Sequence, residues 1–153
     1  HKVGEWLTED SRVPLVSATG STRMGRVVGA KVAERFGKTI LELGGNNAMI
    51  ITSDADLDIA TVGVVFGAIG TAGQRCTTTR RLIVHESVYD TVKENLINAY
   101  GQIKIGNPLD EQNHMGPLID KGAVEMYLNA IHKIKNSGSI IVEGGVLDGE
   151  GYD

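Results

Sequence analysis

Short β-branched apolar runs alternate with stretches of helical periodicity along most of this chain, and turn-forming residues mark the joins. That alternation leaves few architectures open. A strand, a helix and a second strand in close succession bury their apolar faces together when the helix crosses over and the strands pair in parallel. Val13-Pro14-Leu15-Val16-Ser17 reads as the first buried strand. Ser21 or Thr22 then caps a helix running to about Phe36, with Met24, Val27, Val28, Val32 and Phe36 at helical spacing. Gly37-Lys38 ends that helix, and Thr39-Ile40-Leu41-Glu42-Leu43 is the next strand.

The pattern repeats downstream. Asn47-Ala48-Met49-Ile50-Ile51 is strand-like, and Asp54 and Asp56 place negative charge before a helix predicted from about Leu57 to Ala72. Arg81-Leu82-Ile83-Val84-His85 is a strand, followed by a helix from Ser87 to about Tyr100 with Val88, Val92, Leu96 and Ala99 on its apolar stripe. Ile105 to Leu109 and Gly116 to Asp120 read as loops, Lys121 to Ser137 as a helix, and Ser139 to Gly145 as a strand ending in a turn. The expected class is α/β.

Composition narrows the functional classes. Hydrophobic residues at 41% and charged residues at 22% fit a globular chain with a sizeable core. A net charge of -4 argues against a nucleic-acid partner. No apolar run reaches membrane-spanning length, since glycines interrupt Ile59 to Ile69, so no membrane association is expected. One cysteine excludes an internal disulfide and a cysteine-based zinc cluster. His85, His114 and His132 share no ligand spacing, so no metal is expected. His1-Lys2-Val3-Gly4-Glu5-Trp6 has no signal-peptide character, which makes a cytoplasmic protein the expectation. The chain also lacks an initiator methionine, and a fragment of a longer protein is expected.

Three segments carry candidate chemistry. Gly20-Ser21-Thr22-Arg23-Met24-Gly25 lies between a predicted strand and helix, where backbone amides can hold a phosphate. Arg26 and Val27 stand where a Walker loop needs Lys and a hydroxyl, so an NTPase is disfavoured. The ordinary Gly-x-Gly-x-x-Gly dinucleotide pattern is absent too, and a plain glycine-rich turn capping a helix is the alternative.

The lone Cys76 sits in Gly73-Gln74-Arg75-Cys76-Thr77-Thr78-Thr79. It is either a small buried hydrophobe or a nucleophile whose thiolate Arg75 favours and whose backbone amide serves an oxyanion. Glu42, 34 positions upstream in Leu41-Glu42-Leu43-Gly44-Gly45, is either a candidate base or a strand-end carboxylate turned to solvent. Arg80-Arg81 reads as a solvated pair, and Gly67, Gly70 and Gly73 as aids to close helix packing.

Taken in order, Thr19-Gly20-Ser21-Thr22, Leu41-Glu42-Leu43-Gly44-Gly45, Gly73-Gln74-Arg75-Cys76, Gly106-Asn107-Pro108 and Gly116-Pro117-Leu118-Ile119-Asp120 resemble the aldehyde dehydrogenase superfamily. The resemblance spans essentially the whole chain but only about the middle third of such an enzyme. Gly45-Asn46-Asn47-Ala48, in place of the more usual Gly-Lys-Ser-Pro, and Arg75 before the cysteine are similar to the antiquitin branch, whose members oxidise α-aminoadipic semialdehyde. Ala18 departs from the aromatic residue usual before Thr-Gly-Ser.

The resemblance implies roles. Cys76 is the expected nucleophile, forming a thiohemiacetal and then a thioester after hydride leaves for NAD, with NADP also open. Glu42 is the expected base for the hydrolytic water, and Gly20 and Ser21 are expected to meet the cofactor pyrophosphate. Leu43 is placed beside the nicotinamide, and Arg75 and Thr77 at the substrate. Residues 1–44 correspond to the end of a Rossmann-type NAD-binding domain and residues 45–153 to the start of the catalytic domain. The full-length protein is expected to form a dimer or tetramer of identical subunits.

The family's upstream oxyanion asparagine, upstream Lys/Glu ribose segment, downstream Glu-x-Phe-Gly-Pro and oligomerisation strands are not in this chain, so alone it is expected not to turn over. A truncated, non-catalytic nucleotide-binding or subunit-interaction module is the alternative, and a plain α/β domain with coincidental motifs a more remote one.

Overall fold

A computed structural model describes residues 2–138, 140, 142 and 144–147. The chain divides into two compact units, His1–Gly45 and Asn46–Asp153.

The first unit contains α1 (Lys2–Glu9), β1 (Leu15–Thr19), α2 (Thr22–Glu34) and β2 (Lys38–Glu42). The expected strand-helix-strand unit forms: β1 and β2 pair in parallel, with Leu15 opposite Lys38 and Thr19 opposite Glu42. β1 lies two residues downstream of the sequence expectation. Pro14 has no N–H to give a ladder, and its carbonyl instead accepts from Lys38 N–H at the edge of the pair. Of the two candidate caps, Ser21 is the one used: its hydroxyl accepts from the Met24 N–H at 3.1 Å. α2 stops at Glu34 because Phe36 takes a left-handed conformation, φ 58°. Val32 is fully buried under this crossover.

α1 was not anticipated, although Val3, Trp6 and Leu7 have helical spacing. Those three side chains are exposed, so the helix is held by polar contacts. Arg35 Nε donates to the Thr8 carbonyl at 2.8 Å, and Lys31 pairs with Glu9.

The second unit contains β3 (Asn47–Ile51), α3 (Leu57–Ile69), β4 (Thr79–Val84), α4 (Tyr89–Tyr100) and α5 (Lys121–Ser137). β3 and β4 also pair in parallel, across α3. Ile51, Val64 and Val92 form the buried centre, packed by Met49, Leu82, Val84 and Leu96. Asp56 caps α3 by accepting from Asp58 N–H and Ile59 N–H. This helix ends at Ile69, earlier than expected, and Gly70–Gly73 form a 3₁₀ turn. Thr71, Ala72 and Gly73 are all left-handed there, with φ of 53°, 53° and 70°. For two non-glycine residues that geometry costs about 1–2 kcal/mol each.

His85 is a helix cap: its Nδ1 accepts from Ser87 N–H ahead of a short 3₁₀ turn, Glu86–Val88, that leads into α4. His114 Nδ1 accepts from the Lys104 N–H at 3.0 Å and so staples the loop between α4 and α5. Both imidazoles therefore have structural work. Of the strand expected at Ser139 to Gly145, residues 139, 141 and 143 lie outside the described residues, and Ile140, Val142, Gly144 and Gly145 are not in a strand. Among the described residues no helix is long and apolar enough to cross a membrane.

Candidate active site

In the first unit, the carboxyl ends of β1 and β2 bring four expected site residues together. Thr19 and Glu42 are opposite each other at the last rung, and the next N–H, Gly20, donates to the Glu42 carbonyl at 3.0 Å. Ser21 follows as the cap of α2, so the free amides of the first helical turn lie at the strand ends. No acidic residue occupies that turn, and Arg23 adds positive charge. This is where open parallel sheets take ligands, and the charge suits an anion. Leu43, just past β2, packs on α2: a Cβ added to the buried Gly25 would lie 2.5 and 2.6 Å from the two Leu43 methyl carbons. Gly25 is thus an absent side chain that makes room for Leu43. The Glu42 side chain is exposed at the end of its strand.

The second unit positions the thiol. Thr78 N–H donates to the Arg75 carbonyl at 3.2 Å, which closes a β-turn over Arg75-Cys76-Thr77-Thr78. Cys76 and Thr77 take its two central positions and are exposed, whereas Thr78 is buried at 4% exposure. The Thr78 hydroxyl accepts from the Arg75 N–H at 3.1 Å and tightens the turn. Cys76 is a free, exposed thiol in this chain.

Arg75 turns back onto α3. Its Nη2 donates to the Phe66 carbonyl at 3.1 Å, and its guanidinium carbon stands 4.9 Å from the Phe66 ring centroid. Its Nε is buried with no partner among the described residues. Gly70 makes the berth: a Cβ there would lie 2.0 Å from Nη2. Gly67 allows α3 to approach β4, since its Cβ would stand 2.5 Å from Thr79 Oγ1. Of the arginine pair, Arg81 is tied down by donating twice to the Asn46 carbonyl, at 2.9 and 3.2 Å.

Two contacts were not legible beforehand. Gln74 Oε1 accepts from the Ile119 N–H at 3.0 Å, which joins the Gly116–Asp120 run to the cysteine segment. Asn47 donates its side-chain amide to the carbonyls of Cys76 and Thr78. The only local signal for the latter is that Asn46 and Asn47 follow Gly44-Gly45.

Comparison with known proteins places the chain in a family. The model of the aldehyde dehydrogenase family matches residues 1–153. The chain is 53% identical over 150 residues to aldehyde dehydrogenase family 7 member A1 of Pisum sativum, covering 97% of this chain and 30% of that protein. It is 51% identical to alpha-aminoadipic semialdehyde dehydrogenase of Rattus norvegicus, covering 97% and 28%. Betaine aldehyde dehydrogenase of Staphylococcus aureus, solved with NAD+, superposes with a TM-score of 0.92 at 32% identity, covering 98% of this chain and 31% of that one. The chain therefore spans under a third of the length of these relatives, and with its α/β fold it belongs to the aldehyde dehydrogenase family.

Proposed function

We propose that this chain is the nucleophile- and base-bearing part of an NAD(P)-dependent enzyme that oxidises a carboxylate-bearing semialdehyde, such as α-aminoadipic semialdehyde, to the acid. The observation that carries the reading is Cys76, exposed at the tip of a turn whose flanks are tied by the Thr78, Arg75 and Gln74 contacts. A unique thiol held out on a fixed turn is what nucleophilic catalysis needs. The names of the family 7 relatives support the substrate class. On this reading residues 1–44 end the cofactor domain and residues 45–153 begin the catalytic one.

NAD, when bound, accepts the hydride; solved relatives carry NAD+, and NADP stays open. Gly20, Ser21 and the first-turn amides of α2 would hold its pyrophosphate, a fit supported by the turn's lack of acidic side chains. The Leu43 backbone would border the nicotinamide.

The thiolate sulfur of Cys76 bonds to the aldehyde carbon, and the carbonyl π pair moves to oxygen. The Cys76 backbone N–H is the donor for that oxyanion. When the oxygen pair reforms the double bond, hydride departs and a thioester remains on Cys76. Glu42 takes a proton from water as the water oxygen bonds to the acyl carbon, and the C–S bond breaks to return the thiolate. Arg75 and Thr77 face the substrate in this scheme, with Nη1 left for a carboxylate, since Nη2 is used on Phe66 and Nε is buried. A cytoplasmic homo-oligomer, dimer or tetramer, is the proposed setting.

The test is Cys76→Ser in the full-length enzyme. Aldehyde oxidation should be abolished while NAD binding, measured by fluorescence quenching, stays near the wild-type value. Turnover at the wild-type rate would overturn the assignment.

A further inference from the structure

Asn47, the first residue of β3, reaches the cysteine turn with both N–H groups of its side chain. Nδ2 donates to the Cys76 carbonyl at 2.6 Å and to the Thr78 carbonyl at 3.0 Å. The acceptors settle which end of the amide faces the turn. Two carbonyl oxygens can only accept, so the NH2 end must point at them, and its donor capacity is then fully used.

The backbone register gives an independent observation. Asn47 pairs with Thr79, whereas Ala48 pairs with Arg81, so Arg80 is an extra residue where the cysteine turn enters β4. Such a bulge bends its strand and re-aims nearby side chains, and it breaks the ladder at the place where Asn47 supplies side-chain hydrogen bonds instead.

We propose that Asn47 is a positioning residue for Cys76, a role that rests on reading Cys76 as the nucleophile. The Cys76 carbonyl belongs to the peptide plane that follows its Cα. Holding that oxygen fixes ψ of Cys76, while the Thr78-to-Arg75 bond holds the turn from its other side. With both constraints the Cα–Cβ bond of Cys76 leaves the turn in one direction, which confines the sulfur to the rotamers about that one axis. Without Asn47 the two carbonyls turn to water, the backbone of the turn loosens and the Cα–Cβ axis that carries the sulfur samples several directions. A misplacement of order 1 Å at a reacting atom costs about a hundredfold in rate.

The experiment compares Asn47→Asp, Asn47→Ala and Asn47→Ser in the full-length enzyme. Asp keeps the shape of Asn but brings only acceptors against two carbonyl oxygens; Ser restores a single donor. The expected result is a kcat about a hundredfold lower for Asp and Ala, partial recovery in Ser, and an unchanged KM for NAD, whose proposed residues lie in the other unit. An Asp variant with wild-type kcat overturns the proposal. A kcat loss matched by equal losses in NAD affinity and thermal stability also overturns it, because that marks general damage. Labelling of Cys76 by iodoacetamide separates this proposal from the one beneath it. A changed labelling rate in Asn47→Asp supports the clamp even if Cys76→Ser proves active, and a rate equal to wild type refutes it.

Discussion

Arg75 is asked to do two things, and substitution can tell them apart. Its guanidinium donates to the Phe66 carbonyl at 3.1 Å and lies over the Phe66 ring, so it anchors the cysteine turn to α3. A hydrogen bond from a charged donor contributes about 1.5–3 kcal/mol, and a half-exposed cation–π contact about 0.5–1 kcal/mol. Because Arg75 is only half-buried, the lower ends apply, and the anchor supplies about 2–2.5 kcal/mol in all. Lost in full at the transition state, that is a fall in kcat/KM of about 30- to 70-fold.

The fall should appear for every aldehyde, charged or not, when Arg75→Ala is made in the full-length enzyme. A carboxylate-bearing semialdehyde should lose about 2–5 kcal/mol more if the remaining N–H groups meet its carboxylate.

Gly70→Ala supplies the decisive control. Its new methyl would stand 2.0 Å from Nη2, the mobile end of a long side chain, so the guanidinium must leave its berth while the backbone stays. Gly70 has φ of -51° and ψ of 127°, which alanine adopts freely. The variant keeps the arginine and its charge but loses the anchor, so it should reproduce the loss on an uncharged aliphatic aldehyde. Steady-state kinetics with both aldehydes on one preparation of each variant is the assay. An uncharged aldehyde oxidised at the wild-type kcat/KM by both variants refutes the anchor. Equal losses for charged and uncharged aldehydes in Arg75→Ala refute the carboxylate contact.

Glu42→Gln should still release a pre-steady-state burst of NADH and then accumulate acyl-enzyme, seen by mass spectrometry; loss of the burst with continued hydrolysis of a thioester analogue would assign Glu42 another role. Gly25→Ala should destabilise the protein by about 1–3 kcal/mol through overpacking against Leu43 and raise the KM for NAD. Adding Leu43→Ala should recover part of both losses, and strict additivity in that cycle would show that the two residues do not meet. The chain by itself should bind NAD weakly or undetectably in calorimetry, because the ribose-binding segment of the family is not in it; a Kd of order 1 μM or tighter would contradict this.

Periodicity and turn chemistry made the two strand-helix-strand units legible. Asn47–Ile51 and Lys121–Ser137 fall where the pattern puts them, and Ser21 caps α2 as one of two candidates. These features depend on residues near one another in the chain, which is why sequence alone determines them. The cysteine and glutamate stood out for a similar reason, as unusual residue types in glycine-containing runs.

Tertiary structure decided what holds them. α3 stops at Ile69 because the backbone leaves the helix at Gly70, ψ 127°, and turns left-handed over Thr71 to Gly73, where Gly70 also leaves room for the Arg75 guanidinium, and a count of apolar positions registers neither. Helix α1 carries only three apolar positions at helical spacing, and the contacts that tie it to α2 come from Arg35 and Lys31, more than twenty positions on, where a local pattern gives no sign of them. Gln74 and Ile119 are 45 positions apart, and Asn47 and Cys76 are 29 apart. Hydrogen bonds over such separations form only after the chain has folded, and amide and carbonyl groups occur at almost every position. Their pairing therefore leaves no trace in a single sequence, although it is what turns an exposed thiol into a fixed one.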